Sequence, residues 1–356
     1  MNTATITNAF EMKTQLAAIL AGVVPEIELG YKAELAAEIN RLKREKNAVI
    51  LGHNYMEPAL FNSIPDFVGD SLELCRKAAA TDADVIVFCG VRFMAETAKI
   101  LNPEKTVLIP SLAGCSLASS ITAADVRELK RKFPGVPVVT YINSYAEVKA
   151  ESDICCTSAN AARIVASLDN DTVIFIPDEY LAKNVARETG KHVVFPQTGS
   201  ANGKGKRAGE QDATLDYQMV GWRGRCEVHE KFTVADVENV RKQFPDVVVV
   251  AHPECSPEVV AMSDFCGSTT TMSRYVEESS AQRYLLLTEC AMGDNVAAAN
   301  PEKEMVRLCS VRCPHMNQIT LEDTLASLRN NRYEVRIPEE IRVRAARAVK
   351  RMIEIS

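Results

Sequence analysis

Short runs of apolar residues recur along the chain, and they alternate with stretches whose apolar positions repeat at helical spacing. The run at 47–52 follows a helical stretch in which Leu35, Ile39 and Leu42 share one face. Comparable runs at 136–140 and 247–250 each follow a Phe-Pro pair, and second strands are predicted at 84–88, 171–176 and 283–287. Short buried strands between helices are typical of βαβ units and parallel sheets. The pattern predicts an α/β fold.

The same succession of elements occurs three times. A hydroxyl residue follows an aspartate by five positions after each first strand, in the pairs Asp66 and Ser71, Asp153 and Ser158, and Asp264 and Thr269. Third strands are predicted at 106–109 and 192–195. We therefore expect three similar α/β/α domains with parallel sheets, arranged with approximate threefold symmetry around a central site.

The repeats also predict domain boundaries. We expect an N-terminal arm over 1–30, a first domain over 31–119 that the C-terminal helices complete, a second over 120–230, and a third over 231–356 together with those helices. A Gly/Lys-rich insertion at 199–221 belongs to the second domain alone, either as an exposed loop or as a lid over the site.

Three cysteines mark the ends of the repeated units. The spacing Cys-x6-Thr-x2-Asp occurs at Cys115, Cys226 and Cys313, where Thr122, Thr233 and Thr320 precede Asp125, Asp236 and Asp323. A threonine followed three residues later by an acid predicts a helix N-terminus. Identical spacing in three places indicates an internal repeat, and each repeated unit ends at a cysteine.

The predicted topology brings reactive side chains to one place. Ligands of parallel α/β sheets bind beyond the carboxyl ends of the strands. The polar residues predicted there are His53, Asn54, Tyr55, Tyr141, Asn143, His252 and Glu254. Three thiols near them favour a 4Fe–4S cluster with one open iron, while a zinc site and buried unligated thiols stay open as alternatives.

Other candidates have a structural and a functional interpretation. The hydroxyl residues Ser71, Ser158, Ser268 and Thr269 precede predicted helices, so they can act as N-caps or can bind carboxylate or phosphate at a helix N-terminus. His229 lies three residues after a proposed ligand. Burial of Glu254 among apolar strand ends is expected to raise its pKa and to make it a useful base.

Composition limits the partners. The chain has 356 residues, a net charge of −6 and 11 cysteines. This charge gives no footprint for nucleic acid, and no apolar run is long enough to span a membrane. The N-terminus lacks the features of a signal peptide, so we expect a cytoplasmic protein with reduced thiols, some of them metal ligands.

The motifs resemble those of the quinolinate synthase family of bacterial NAD biosynthesis. The resemblance extends from about Lys32 to Leu328 and rests on GHNYM at 52–56, DFVGDS at 66–71, YIN at 141–143, TSAN at 157–160, Cys226-x-x-His229, HPEC at 252–255, GST at 267–269 and CPHM at 313–316. It implies three α/β/α domains around one 4Fe–4S cluster. It also implies condensation of iminoaspartate with dihydroxyacetone phosphate to quinolinate, phosphate and water.

The resemblance also implies roles for individual residues. The cluster ligands are Cys115, Cys226 and Cys313, the acid–base residues are Tyr55 and Glu254 with support from His53 and His252, and the residues that contact substrate are His53, Ser71, Tyr141, Asn143, Ser158, His229, His252, Glu254, Ser268 and Thr269. A transient contact with the enzyme that supplies iminoaspartate is left open.

Two segments depart from the family pattern. Members of the family often have Trp-Pro-Gly before the second ligand, whereas this chain has Trp222-Arg-Gly224. Many relatives have a glycine and a histidine after the second strand of the third unit, where this chain has TECAMGDN at 288–295, so this segment receives no role. Cys309 is interpreted as an inert thiol, with a redox role as the alternative. A different class of function is an iron–sulfur sensor, but no basic recognition helix is apparent that would serve as its output.

Overall fold

The computed structural model describes residues 3–196, 217–308 and 311–355, and its strands form three parallel sheets. The first contains β1 (Ala48–His53), β2 (Phe67–Gly69), β3 (Val85–Cys89) and β4 (Thr106–Leu108). The second contains β5 (Val138–Tyr141), β6 (Ile154–Cys156), β7 (Val173–Ile176), β8 (Val193–Val194) and β9 (Met219–Gly221), and the third contains β10 (Val248–Ala251), β11 (Phe265–Cys266), β12 (Arg283–Leu287) and β13 (Glu304–Val306).

Helices flank the sheets and connect the strands. The α-helices are α1 (Ala9–Ile19), α2 (Glu26–Glu45), α3 (Pro58–Phe61), α4 (Ser71–Ala80), α5 (Arg92–Leu101), α6 (Ala123–Lys132), α7 (Ala146–Ala150), α8 (Ala161–Ala166), α9 (Glu179–Thr189), α10 (Val234–Gln243), α11 (Pro257–Ala261), α12 (Thr269–Glu278), α13 (Cys290–Ala299), α14 (Leu321–Asn330) and α15 (Glu339–Ile355). Short 3₁₀ helices span Thr3–Thr5, Ala118–Ser120, His229–Lys231 and Met316–Gln318. None of the described helices is long and apolar enough to cross a membrane.

The three sheets have the same strand order over their first four positions. The orders are β2-β1-β3-β4, β6-β5-β7-β9-β8 and β11-β10-β12-β13, and every pair within them is parallel. The central strands β1, β3, β5 and β7 are almost entirely buried, as sheets covered by helices on both faces require. The prediction of an α/β protein with three similar α/β/α domains is confirmed.

The second sheet differs from its prediction at the third strand. The third strand of this unit is predicted at 192–195, and β8 lies within that range. However, β9 pairs with the central strand β7, and β8 forms the outer edge of the sheet. The predicted insertion at 199–221 lies outside the described residues up to 216, and its last three positions form β9. The strand β13 was not predicted, because three partly exposed residues carry too little periodicity.

Both ends of the chain pack against the domains. The predicted N-terminal arm contains α1, whose Met12 and Leu16 are fully buried, and α1 packs against α2. At the other end, α14 packs on α2 of the first domain, while α15 lies against α5, α7 and β6. The C-terminal helix therefore contacts elements of the first two predicted domains, and the exact domain boundaries stay a prediction.

The aspartate that opens each repeated motif holds the sheet together in the same way three times. Asp66, Asp153 and Asp264 each accept a hydrogen bond from the first residues of the central strand, at 2.8, 2.8 and 2.7 Å. A basic residue of the preceding helix forms an ion pair with each, namely Lys43, Lys130 and Arg241 at 2.9, 3.5 and 3.0 Å. The sequence repeat is thus a repeat of contacts.

Replacing Asp66 is expected to cost more stability than replacing Asp264. The side chain of Lys43 is 5% exposed, so Asp66→Ala leaves a buried ammonium without its carboxylate, whereas Arg241 is 35% exposed. We expect losses in unfolding free energy of about 3 kcal/mol for Asp66→Ala and about 1 kcal/mol for Asp264→Ala. Urea denaturation of both variants measures the difference, and equal losses would contradict it.

Candidate active site

A cavity lies beyond the carboxyl ends of the strands. Its wall contains all but one of the residues to which the family resemblance assigns a role, namely His53, Tyr55, Ser71, Cys115, Tyr141, Asn143, Ser158, Cys226, His229, His252, Glu254, Thr269 and Cys313. Asn54, predicted at a strand end but without a role, is not on this wall, and its Nδ2 donates to Thr269 Oγ1 at 2.9 Å. It also contains residues without a predicted role, among them Asp70, Ser116, Phe93 and Glu227. The topology therefore brings side chains from all three sheets to one place.

Ser268 is the one residue with an implied substrate contact that does not line the central cavity. It is the N-cap of α12, where its hydroxyl accepts a hydrogen bond from Thr271 N–H at 3.4 Å, and it lines a neighbouring cavity. Ser158 lines both cavities. For Ser268 the structure favours the capping interpretation over direct contact with the central cavity.

The three cysteines occupy equivalent loops. In each loop the carbonyl of the cysteine accepts a hydrogen bond at 3.0 Å from the N–H four residues later, and a 3₁₀ helix begins three residues after it. The threonine of each spacing motif then caps the next α-helix, accepting from Asp125, Asp236 or Asp323 N–H. The predicted N-caps are confirmed, and the loops place three thiols on the wall of one cavity.

The surroundings of these thiols suit metal ligation. Burial raises the pKa of all three, that of Cys115 to about 12. In each loop the N–H groups two and three residues after the cysteine oppose this rise; the Met316 N–H, for example, lies 3.5 Å from Cys313 Sγ. Amides directed at sulfur stabilise thiolate and are typical around iron–sulfur clusters. Without a cation, burial keeps the thiols protonated.

Glu254 is the centre of a polar network on the cavity wall. Its Oε1 accepts hydrogen bonds from the Tyr141 hydroxyl at 2.6 Å and from Asn143 Nδ2 at 3.2 Å. Its Oε2 lies 2.7 Å from His229 Nδ1, a short contact outside hydrogen-bond geometry. Side chains from two sheets thus meet at one carboxylate that is 3% exposed.

The expectation that burial makes Glu254 a stronger base is wrong. Burial does act to raise its pKa, but His229, His252 and the Tyr141 hydroxyl together outweigh burial and hold the pKa below its ordinary value. The sequence places Glu254 among apolar strand ends, but it gives no sign that three partners for the carboxylate converge there. Glu254 is therefore ionised at neutral pH and ready to accept a proton.

Two histidines of the wall are neutral at neutral pH. Burial lowers the pKa of His53 to about 4 and that of His252 to about 3, and His229 contributes to the latter. Each accepts a hydrogen bond at Nδ1 from the N–H two residues later, at 3.2 Å from Tyr55 and 3.3 Å from Glu254. These bonds leave Nε2 of both rings as the donor.

Thr288 and Glu289, which follow β12 directly, have no predicted role in the site. The Thr288 hydroxyl contacts the Tyr55 hydroxyl at 2.7 Å and His229 Nε2 at 3.0 Å. The Glu289 carboxylate accepts from the N–H groups of Ala291 at 2.6 Å and Cys313 at 3.4 Å. Their position at a strand end was the available signal, because the same position in the other units supplies predicted site residues.

The described wall of the cavity has hydrogen-bond donors but no fixed positive charge. No lysine or arginine is among the described residues of its wall. Its donors are amides, hydroxyls and imidazoles, and the helices α4 and α12 begin at Ser71 and Thr269 on the wall. Free N–H groups at a helix N-terminus favour carboxylate or phosphate.

Among the described residues, one group could hold a single metal ion. Cys226, His229 and Glu254 each offer one ligand atom, and these three atoms lie within 4.8 Å of one another. His229 and Glu254 are buried. Cys226 belongs both to this group and to the three cysteines of the repeated loops.

Comparison with known proteins gives a consistent result over nearly the whole chain. The family model described as "Quinolinate synthetase A protein" matches residues 37–354. Quinolinate synthase 2 of Mesorhizobium japonicum is 52% identical over 334 residues, which cover 94% of this chain and 95% of the relative. The quinolinate synthases of Agrobacterium fabrum and Xylella fastidiosa are each 51% identical, covering 94% and 89% of this chain and 90% and 86% of their own lengths.

Proposed function

The chain belongs to the quinolinate synthetase A protein family of NAD-biosynthetic enzymes, and from this membership we propose that it condenses iminoaspartate with dihydroxyacetone phosphate. The products are quinolinate, phosphate and water. The observation that carries the proposal is the single cavity whose wall combines three cysteines with the ionised carboxylate of Glu254. Such a wall can hold a metal cofactor next to a base.

Cys115, Cys226 and Cys313 would hold a 4Fe–4S cluster. Three equivalent loops with amides directed at sulfur fit this group. When bound, a cluster with three protein ligands supplies an open iron that acts as a Lewis acid on a substrate oxygen. The remaining chemistry is assigned to side chains of the chain.

Glu254 is assigned as the general base. Ring formation requires removal of protons from carbon and nitrogen, and an ionised carboxylate is in the protonation state that can accept them. The Tyr141 hydroxyl and Asn143 amide fix its Oε1, so its Oε2, beside His229, carries the transferred proton. Tyr55 is assigned as the second acid–base group, supported by His53 and His252.

The substrate carboxylates and phosphate are assigned to neutral donors. Ser71, Ser158 and Thr269 lie on the cavity wall, the first and last at the start of α4 and α12. Because no lysine or arginine lines the described wall, hydroxyls, main-chain amides and the neutral rings of His53 and His252 supply the hydrogen bonds.

A zinc-dependent hydrolase is the second candidate. It is favoured by the compact Cys226, His229 and Glu254 group, which resembles a catalytic zinc site with three protein ligands and an open position. In that case Cys115 and Cys313 would have no function, although they occupy loops equivalent to that of Cys226. The repeated loops therefore favour the cluster.

Metal analysis after anaerobic purification distinguishes the two. We expect about four irons and four sulfides per chain, with broad visible absorption, and formation of quinolinate from both substrates. Zinc alone, without sulfide, would overturn the cluster. A full cluster without any quinolinate would leave the cofactor assignment standing and overturn the proposed reaction.

A further inference from the structure

Thr288 links two side chains of the proposed mechanism that come from different domains. It is 3% exposed and follows β12 directly, and its hydroxyl lies 2.7 Å from the Tyr55 hydroxyl and 3.0 Å from His229 Nε2. Tyr55 and His229 are themselves 3.4 Å apart, longer than either contact to Thr288. The threonine is therefore the closer partner of both.

The Thr288 hydroxyl can serve both partners at once, because a hydroxyl donates one hydrogen bond and can accept others. Its contacts therefore fix the position of the Tyr55 hydroxyl relative to the His229 ring, whichever of the groups donates.

We propose that Thr288 is the positioning residue that holds the Tyr55 hydroxyl in place beside His229 during catalysis. This inference rests on the proposed function, in which Tyr55 is an acid–base group. Without the Thr288 hydroxyl, Tyr55 loses its 2.7 Å contact and keeps the longer 3.4 Å contact with His229.

The same hydrogen bond acts on the protonation of Tyr55. Burial and the negative charge of Glu254 raise the pKa of Tyr55 well above its ordinary value, while the hydrogen bond with Thr288 opposes that rise. Loss of the Thr288 hydroxyl therefore removes a contact that holds this pKa down, in addition to releasing the Tyr55 oxygen from its position.

Kinetics of Thr288 variants test the proposal in the cluster-loaded enzyme. We expect Thr288→Val to lower kcat by about 10- to 100-fold, with KM changed by no more than about threefold, because a misplaced catalytic group costs this much. Thr288→Ser keeps the hydroxyl and should restore kcat to within about threefold of the parent. Thr324→Val removes a buried threonine hydroxyl from α14, outside the cavity, and should leave kcat unchanged.

A double-mutant cycle with Tyr55→Phe shows whether Thr288 acts through Tyr55. If it does, Thr288→Val adds little to the loss already caused by Tyr55→Phe; an independent, multiplicative loss would overturn the proposal. Full kcat in Thr288→Val, or an equal loss in Thr288→Ser, would also overturn it. Should Thr288→Val not fold, Thr288→Ala replaces it. A parent enzyme that makes no quinolinate would instead refute the proposed function.

Discussion

A chain with alanine at Cys115 is expected to contain no intact cluster and to form no measurable quinolinate. Only three thiols line the described cavity wall, so the loss of one leaves two ligands for four irons. The same result is expected for Cys226→Ala and Cys313→Ala. Iron and sulfide analysis under anaerobic conditions, together with the visible absorption spectrum, measures the outcome directly.

Cys75→Ala is the matched control for the loss of a cysteine. Cys75 is buried in α4 and is not part of the cavity wall, so this variant should keep its iron, its sulfide and its activity. A cluster of full iron content in any of the three ligand variants would show that the corresponding cysteine is not a ligand. Circular dichroism establishes that each variant is folded.

Glu254→Gln is expected to lower kcat by about 10²- to 10⁴-fold while the cluster stays intact. Glutamine has nearly the same shape and can still accept from Tyr141 and Asn143, but it cannot accept a proton at neutral pH. The pre-steady-state and steady-state formation of quinolinate measures the loss. Iron content equal to that of the parent separates a lost base from a lost cofactor.

The control for Glu254→Gln is another buried glutamate. Glu96 is 3% exposed and binds Arg92 and the Ala146 N–H, and it does not line the cavity. Glu96→Gln is expected to lower stability and to leave kcat unchanged. Full activity of Glu254→Gln would refute its assignment as the base.

The fold was largely predictable because the same sequence motifs occur three times along the chain. The aspartate, hydroxyl and cysteine motifs recur at fixed spacing, and each recurrence corresponds to the same contact in the structure, such as the bonds of Asp66 and Asp264 to central strands. The order of β8 and β9 was not predictable. Strands of two or three residues carry almost no periodicity, and β9 follows a long non-repeating segment.

The candidate site was predictable in its members but not in its electrostatics. Strand ends and helix starts identify residues such as Tyr141 and Thr269, since parallel topology brings them together. The pKa of Glu254 depends on which partners surround one carboxylate, and those partners come from distant positions. Thr288 has the same explanation: only its contacts with Tyr55 and His229 show its importance.

The repeated cysteine loop has a consequence for maturation of the protein. Each sheet is followed by one such loop and one thiol on the cavity wall, so no single unit can retain iron by itself. On the proposed function, cofactor insertion must wait until the ribosome has released Cys313 and all three units have docked. We therefore expect a bound cluster in completed, folded chains, and no cluster in truncated chains that lack one of the three thiols.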